Sequence, residues 1–124
     1  DRFYIASAAT SCEEIGNPVH YGTKNILNSL GIDCSAKRAV RMTKADYEKY
    51  DYILAMDMNN LYNIKAIIGE DCQHKVYPLL KFCGVNRDIK DPWYTGNFKE
   101  TYQDIVMGLE GFYQFLKENS ICKL

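Results

Sequence analysis

The run from Phe3 to Ala8 is apolar and rich in β-formers, and it predicts a buried strand. Thr10 to Tyr21 contains Ser11, Gly16, Asn17 and Pro18 and reads as a loop. Thr23 to Leu30 then takes a helical pattern, with Ile26, Leu27 and Leu30 on one face and Gly31 placed as a C-cap. Lys37, Arg38 and Arg41 make a small basic cluster in a loop or short strand. Thr43 to Asp46 has the spacing of a helix start, since Thr43 can cap free N–H groups while Asp46 sits in the first turn. Tyr52 to Met56 is a second buried strand running into Asp57, and Asn59 to Ile68 is a helix with Leu61, Ile64 and Ile68 on its stripe. Val76 to Leu80 reads as a third strand, and Gly84 to Gly96 as a long loop. The last helix is the most clearly marked. Asn97 and Glu100 fit a capping box. Phe98, Tyr102, Ile105, Leu109, Phe112 and Leu116 repeat at helical spacing, with Val106 and Tyr113 broadening a stripe expected to pack into the core.

Strands alternating with helices predict an α/β domain with a parallel sheet. Such sheets keep their sites at the carboxyl ends of the strands. Ser7, Asp57 and the loop around Asp91 each follow a predicted strand, so sequence order alone puts three polar elements on one rim.

Composition narrows the function classes. With 124 residues, 47% of them apolar and 25% charged, the chain suits one globular domain. A net charge of −1 does not suit a general nucleic-acid binder, and no apolar run approaches the length of a membrane span. The five cysteines, Cys12, Cys34, Cys72, Cys83 and Cys122, are odd in number and irregularly spaced. Without a CxxC pair they favour free thiols in a reducing cytoplasm over a zinc site or a disulfide framework. His20 and His74 are expected as surface or loop residues, not catalysts.

One segment carries chemistry. In Asp91-Pro92-Trp93-Tyr94-Thr95-Gly96 the proline fixes its own φ and holds Asp91 extended. A carboxylate set beside two large aromatics suits a flat aryl substrate whose leaving oxygen needs a proton. The same residues also describe an Asp-Pro turn with two packing aromatics.

These residues, together with Ile5-Ala6-Ser7-Ala8, the strand exit Ile53-Leu54-Ala55-Met56-Asp57 with Asn60-Leu61, and Phe98 to Tyr102 with Asp104, give the chain a resemblance to the low-molecular-weight protein tyrosine phosphatases. It extends over essentially the whole chain. It implies a flavodoxin-like three-layer sandwich with a mainly parallel sheet. It also implies hydrolysis of phosphotyrosine or another aryl phosphate through a phosphocysteine intermediate. Asp91 matches the general acid/base of that reaction. Trp93 and Tyr94 match one wall of the substrate cleft, and Cys12-Glu13-Glu14 the opposite wall, where Glu13 would disfavour acidic peptides. Ser7, Asp57 and Asn60 match residues that support the phosphate loop. The resemblance implies no metal and no cofactor, because backbone N–H groups and an arginine meet the phosphate charge. Its implied partners are phosphotyrosine proteins or peptides, with phosphate and similar oxyanions as inhibitors.

The chain departs from this pattern at the nucleophile. The family carries it in a CxxxxxR-[ST] loop, but the position six after each cysteine holds Pro18, Val40, Pro78 or Ile89, and Cys122 lies too near the end. Lys37 stands where the family often has a buttressing histidine, Val40 where it often has an arginine, and His20-Tyr21-Gly22 where Asp-Pro-Arg is common. The chain also begins at Asp1, just before an apolar run. The expectation is therefore a single phosphatase domain, residues 1–124, lacking its first ~33 residues, the central first strand and the nucleophile loop included. On this reading the chain alone is inactive. The alternatives are a phosphoarginine phosphatase, an arsenate reductase relaying disulfides through added thiols, or a non-catalytic remnant acting as an interaction module.

Overall fold

The computed structural model describes residues 3–11 and 15–119, apart from the side chain of Trp93. Among the described residues five helices and two strands follow in order: α1 (Tyr21–Ser29), α2 (Lys44–Lys49), β1 (Ile53–Ala55), α3 (Met58–Ile68), β2 (Val76–Pro78), a 3₁₀ turn (Leu79–Cys83), α4 (Pro92–Thr95) and α5 (Phe98–Glu118). The strands are parallel, with Ile53 opposite Val76, Leu54 opposite Tyr77 and Ala55 opposite Pro78. The molecule is thus α/β with a parallel sheet, as expected.

Alternation along β1 places its side chains in two cores. Ile53 and Ala55 pack with Met42, Tyr47, Ile64 and Ile68 on the side of α2 and α3. Leu54 packs with Leu79, Leu80, Ile89 and Ile105 on the side of α5. A strand covered on both faces has no polar face to show, which is why Tyr52 to Met56 reads as a continuous apolar run. On the α5 side an aromatic cluster extends the core. The Tyr52 ring meets Phe112 edge-on at 5.2 Å, and Phe82 lies 4.9 Å from Phe112 and 5.1 Å from Phe115.

Three expectations are corrected. Phe3 to Ala8 is not a strand. These residues have no regular structure and are exposed, Ile5 at 85%. A buried strand needs neighbours on its edges, and among the described residues β1 and β2 pair only with each other. Within the segment the Tyr4 ring stacks on Tyr50 at 5.8 Å, and backbone pairing begins only beyond its end, where Ala9 bridges Arg41 and bonds Val40 and Met42. The third strand stops at Pro78. Leu79 and Leu80 are both buried, and a 3₁₀ turn can bury consecutive side chains that a strand would send to opposite faces. Finally, the stripe of α5 is rotated. Asp104, Gly108 and Leu116 are its buried residues, whereas Tyr102, Leu109 and Tyr113 lie more than a third exposed. Gly108 and Gly111 set this rotation by letting the helix approach the 3₁₀ turn closely.

The helix starts follow local chemistry. Asp46 accepts from the Thr43 N–H at 2.9 Å, and the Asn97 side-chain oxygen accepts from the Glu100 N–H at 3.1 Å. Helix α1 begins two residues earlier than expected, because the His20 Nδ1 accepts from the Gly22 N–H at 3.1 Å. The His20 ring also stacks on Phe98 at 4.9 Å, seating α1 against the start of α5.

A polar knot closes the α2–β2 side. The Tyr47 hydroxyl donates to Asp71 at 2.5 Å and accepts from the Gln73 N–H at 2.8 Å. Asp71 also accepts from the Lys75 and Val76 N–H groups. Burial pushes the Asp71 carboxyl up, but these hydrogen bonds outweigh it and hold the group below the ordinary carboxylate range. A depressed folded-state pKa stabilises above the unfolded value and is lost as pH falls through the folded one. Tyr47→Phe removes the donor and strands the Gln73 N–H, and is expected to lower the unfolding midpoint by roughly 5–10 °C at neutral pH. The difference from the parent should shrink in strong acid, once Asp71 is protonated. Melts at neutral and strongly acidic pH check both statements.

Candidate functional site

Asp57 lies just past the end of β1 and caps α3, its carboxylate accepting from the Asn60 N–H at 2.8 Å. Asn60 turns back, its Oδ1 accepting from the Met56 N–H at 3.0 Å, so the β1–α3 turn is closed by its own side chains. The amides of Asn60 and Asn63 both reach the Thr10 hydroxyl, at 3.4 and 3.2 Å. Thr10 follows the segment that carries Ser7, which is exposed. Asp57, Asn60 and the end of that segment therefore share the carboxyl end of β1, the rim expected from strand order.

The segment leading to Asp91 reaches the same rim. Gly84 leaves the 3₁₀ turn at φ 76°, a left-handed conformation that favours glycine. Downstream, Asp88 accepts from the Met58 N–H at 3.1 Å, and the Ile89 N–H donates to the Met56 carbonyl at 2.8 Å. Two carboxylates, Asp57 and Asp88, thus satisfy N–H groups of the first turn of α3, where negative charge is favoured. The Ile89 side chain is buried against Leu79 and Leu80. The Thr101 hydroxyl donates to the Lys90 carbonyl at 2.9 Å.

Asp91 itself is exposed, and its carbonyl accepts from the N–H groups of Tyr94 and Thr95, at 3.1 and 3.3 Å. Helix α4 is a single turn inside the expected long loop, with Pro92 at its first position, where the missing N–H costs nothing. Trp93 is its second residue. The Tyr94 side chain is 84% exposed. Glu13 lies outside the described residues. The structure therefore brings Asp57, Asn60 and the base of the Asp91 loop together, with Ser7 and Tyr94 exposed nearby in sequence to elements of this rim.

Sequence reasoning missed the residues that hold this loop. Arg87 forms a two-pronged ion pair with Asp104 of α5, both contacts 2.9 Å. The hydrogen bonds from the Arg87 guanidinium, ahead of the burial that opposes them, hold the Asp104 carboxyl below its ordinary range. One signal could have found the pair. Asp104 is a lone carboxylate between apolar positions of α5, and a carboxylate on a packed face requires a cation. Among the described residues, no group of three His, Cys, Asp or Glu side chains is placed to hold a metal ion. Nor is any described helix long and apolar enough to cross a membrane.

Comparison with known proteins bears on the family and the fold. The family model described as low molecular weight phosphotyrosine protein phosphatase matches residues 1–121. The low molecular weight protein-tyrosine-phosphatase YfkJ of Bacillus subtilis is 36% identical over 106 residues, covering 84% of this chain and 68% of the relative. The crystal structure of YfkJ superposes with a TM-score of 0.85 at 33% identity, covering 92% of this chain and 73% of that one. The low molecular weight protein tyrosine phosphatase of Streptococcus pyogenes superposes with a TM-score of 0.72 at 35% identity, over 90% of this chain and 69% of that one. On both sequence and fold, the chain belongs to the low molecular weight phosphotyrosine protein phosphatase family.

Proposed function

We propose that this chain is the acid-bearing portion of a phosphatase that hydrolyses phosphotyrosine through a phosphocysteine intermediate, with Asp91 as the acid/base. The observation that carries this reading is the seating of the Asp91 loop on the β1–α3 turn by the Ile89–Met56 and Asp88–Met58 hydrogen bonds. They hold a carboxylate at the strand end where a parallel sheet keeps its site.

In the first step a cysteine thiolate attacks phosphorus and the bond from phosphorus to the phenolic oxygen breaks. Asp91 gives its proton to that oxygen, so a neutral phenol leaves. In the second step the Asp91 carboxylate takes a proton from water as the water oxygen attacks the phosphocysteine. The thiolate is released and inorganic phosphate departs. On this reading Trp93 and Tyr94 line one side of the substrate cleft and Glu13 the other, while Asp57, Asn60 and Ser7 brace the loop that binds phosphate. A thiolate nucleophile suits the reducing cytoplasm.

The chain itself offers no cysteine followed six residues later by arginine. It is therefore expected to show no turnover of p-nitrophenyl phosphate or of a phosphotyrosine peptide when its intact mass is verified as 14.3 kDa. The complete gene product, with a CxxxxxR-[ST] loop ahead of this segment, is expected to turn over both in the presence of a chelator. Steady turnover by the verified short chain would overturn the assignment of the nucleophile. An upstream reading frame lacking that loop would favour the interaction-module alternative.

A further inference from the structure

Asp104 is the one charged side chain buried among the described residues. Its partner Arg87 is half-exposed, and an ion pair open to water on one side contributes little to stability. Stability alone is thus a weak account of Asp104. Its geometry suggests another. The guanidinium of Arg87 grips both carboxylate oxygens of Asp104 at 2.9 Å, and its Nη1 also donates to the Asp88 carbonyl at 3.3 Å. One planar group therefore ties helix α5 to the backbone of the strap that leads into Asp91. A two-pronged arginine fixes direction as well as distance.

Residues 87 to 90 are each held. Arg87 binds α5, Asp88 and Ile89 bind the β1–α3 turn, and the Lys90 carbonyl takes the Thr101 hydroxyl of α5. Asp91 is exposed and follows directly on this strap. The placement of the strap therefore carries over to Asp91.

We infer that Arg87 and Asp104 are a positioning pair, which aims the Asp91 carboxyl at the leaving oxygen by fixing the strap between α5 and the β1–α3 turn. The inference rests on the phosphatase reading above. Neither side chain touches substrate. A misplacement of about 1 Å in a proton donor can cost up to ~10²-fold in rate, and the cost falls on substrates that need the proton.

The test uses the complete enzyme and two aryl phosphates, phenyl phosphate with a poor leaving group and a difluorinated coumarin phosphate with a good one. The readout is kcat/KM, which covers steps through loss of the phenol. Asp104→Asn and Arg87→Lys each keep part of the contact, while the double variant Arg87→Met with Asp104→Leu replaces it by apolar packing. All three are expected to lose about 10- to 10²-fold on phenyl phosphate and less than about threefold on the coumarin ester. The double variant is expected to do so while keeping an unfolding midpoint near that of the parent. Asp91→Asn serves as the reference. If it shows the leaving-group dependence and the pair variants lose both substrates equally, or lose nothing, the positioning role is overturned and the phosphatase reading stands. If Asp91→Asn shows no such dependence, both fall together.

Discussion

Asp91→Asn in the complete enzyme is expected to slow phenyl phosphate and phosphotyrosine-peptide hydrolysis by ~10²–10⁴-fold. The size follows from what the proton does. A phenolate expelled without it carries a full negative charge away from an already anionic phosphate. A substrate with a strongly acidic phenol tolerates that charge, so the same variant should lose far less on it. Asparagine is the informative replacement because Asp91 also leads into α4, its carbonyl bonding Tyr94 and Thr95. Asparagine caps a helix start as well as aspartate does, so the turn should persist while the proton is lost. KM should move little, since the group acts on the transition state and not on substrate binding. Steady-state kinetics across a series of phenols measures all of this. A variant at full rate on a phosphotyrosine peptide would remove Asp91 from the mechanism.

Much of the molecule was legible where the signals are local. The helix starts at Thr43 and Asn97 rest on a side chain and an N–H a few residues apart, and such pairs survive any tertiary context. Strand β1 was legible because both of its faces are covered, and an apolar run has few other uses. The Asp91-Pro92 segment announced itself through proline, although the single turn of α4 within it did not. The failures share a non-local cause. Phe3 to Ala8 has strand composition, but a strand exists only beside a partner, and the two strands of the sheet pair with each other. Asp57 and Asn60 were picked out by resemblance. Their observed task, closing the β1–α3 turn, is one that an Asp three residues before an Asn at a helix start can signal. Arg87 and Asp104 lie 17 residues apart and meet only because α5 packs back across the strap. The rotation of α5 was hidden for a related reason. A hydrophobic stripe marks where apolar side chains lie, and it is silent about a face whose purpose is to have no side chain at all.

That face makes Gly111→Ala the sharpest stability test. Glycine within a helix costs roughly 1 kcal/mol relative to alanine, so helix propensity alone predicts a more stable protein. The packing predicts the reverse. A Cβ on Gly111 would stand 2.5 Å from the Phe82 carbonyl oxygen and 2.7 Å from its carbonyl carbon. Those atoms belong to the backbone of the 3₁₀ turn, which cannot rotate aside as a side chain can. At Gly108 the corresponding Cβ would meet the side chain of Leu79, with its Cγ at 2.5 Å. Leu79 is buried, but it is a side chain that can give where backbone cannot, so Gly108→Ala should be the milder of the two. Relieving the Gly111 clash requires α5 and the turn to separate, opening the layer where Leu79, Leu80, Ile89 and the Phe82–Phe112 pair meet. Overpacking of this kind costs about 3 kcal/mol, which for a domain of this size lowers the unfolding midpoint by roughly 10–20 °C. The displacement should also reach the site, because Ile89 and the Arg87–Asp104 pair join the strap to that same layer. Gly111→Ala is therefore expected to lose acid catalysis together with stability, with a steeper loss on phenyl phosphate than on the coumarin ester. Thermal unfolding and the two-substrate assay report the two effects separately. An unchanged or raised midpoint would mean that α5 does not sit this close to the turn, and that this layer does not carry core packing to Asp91.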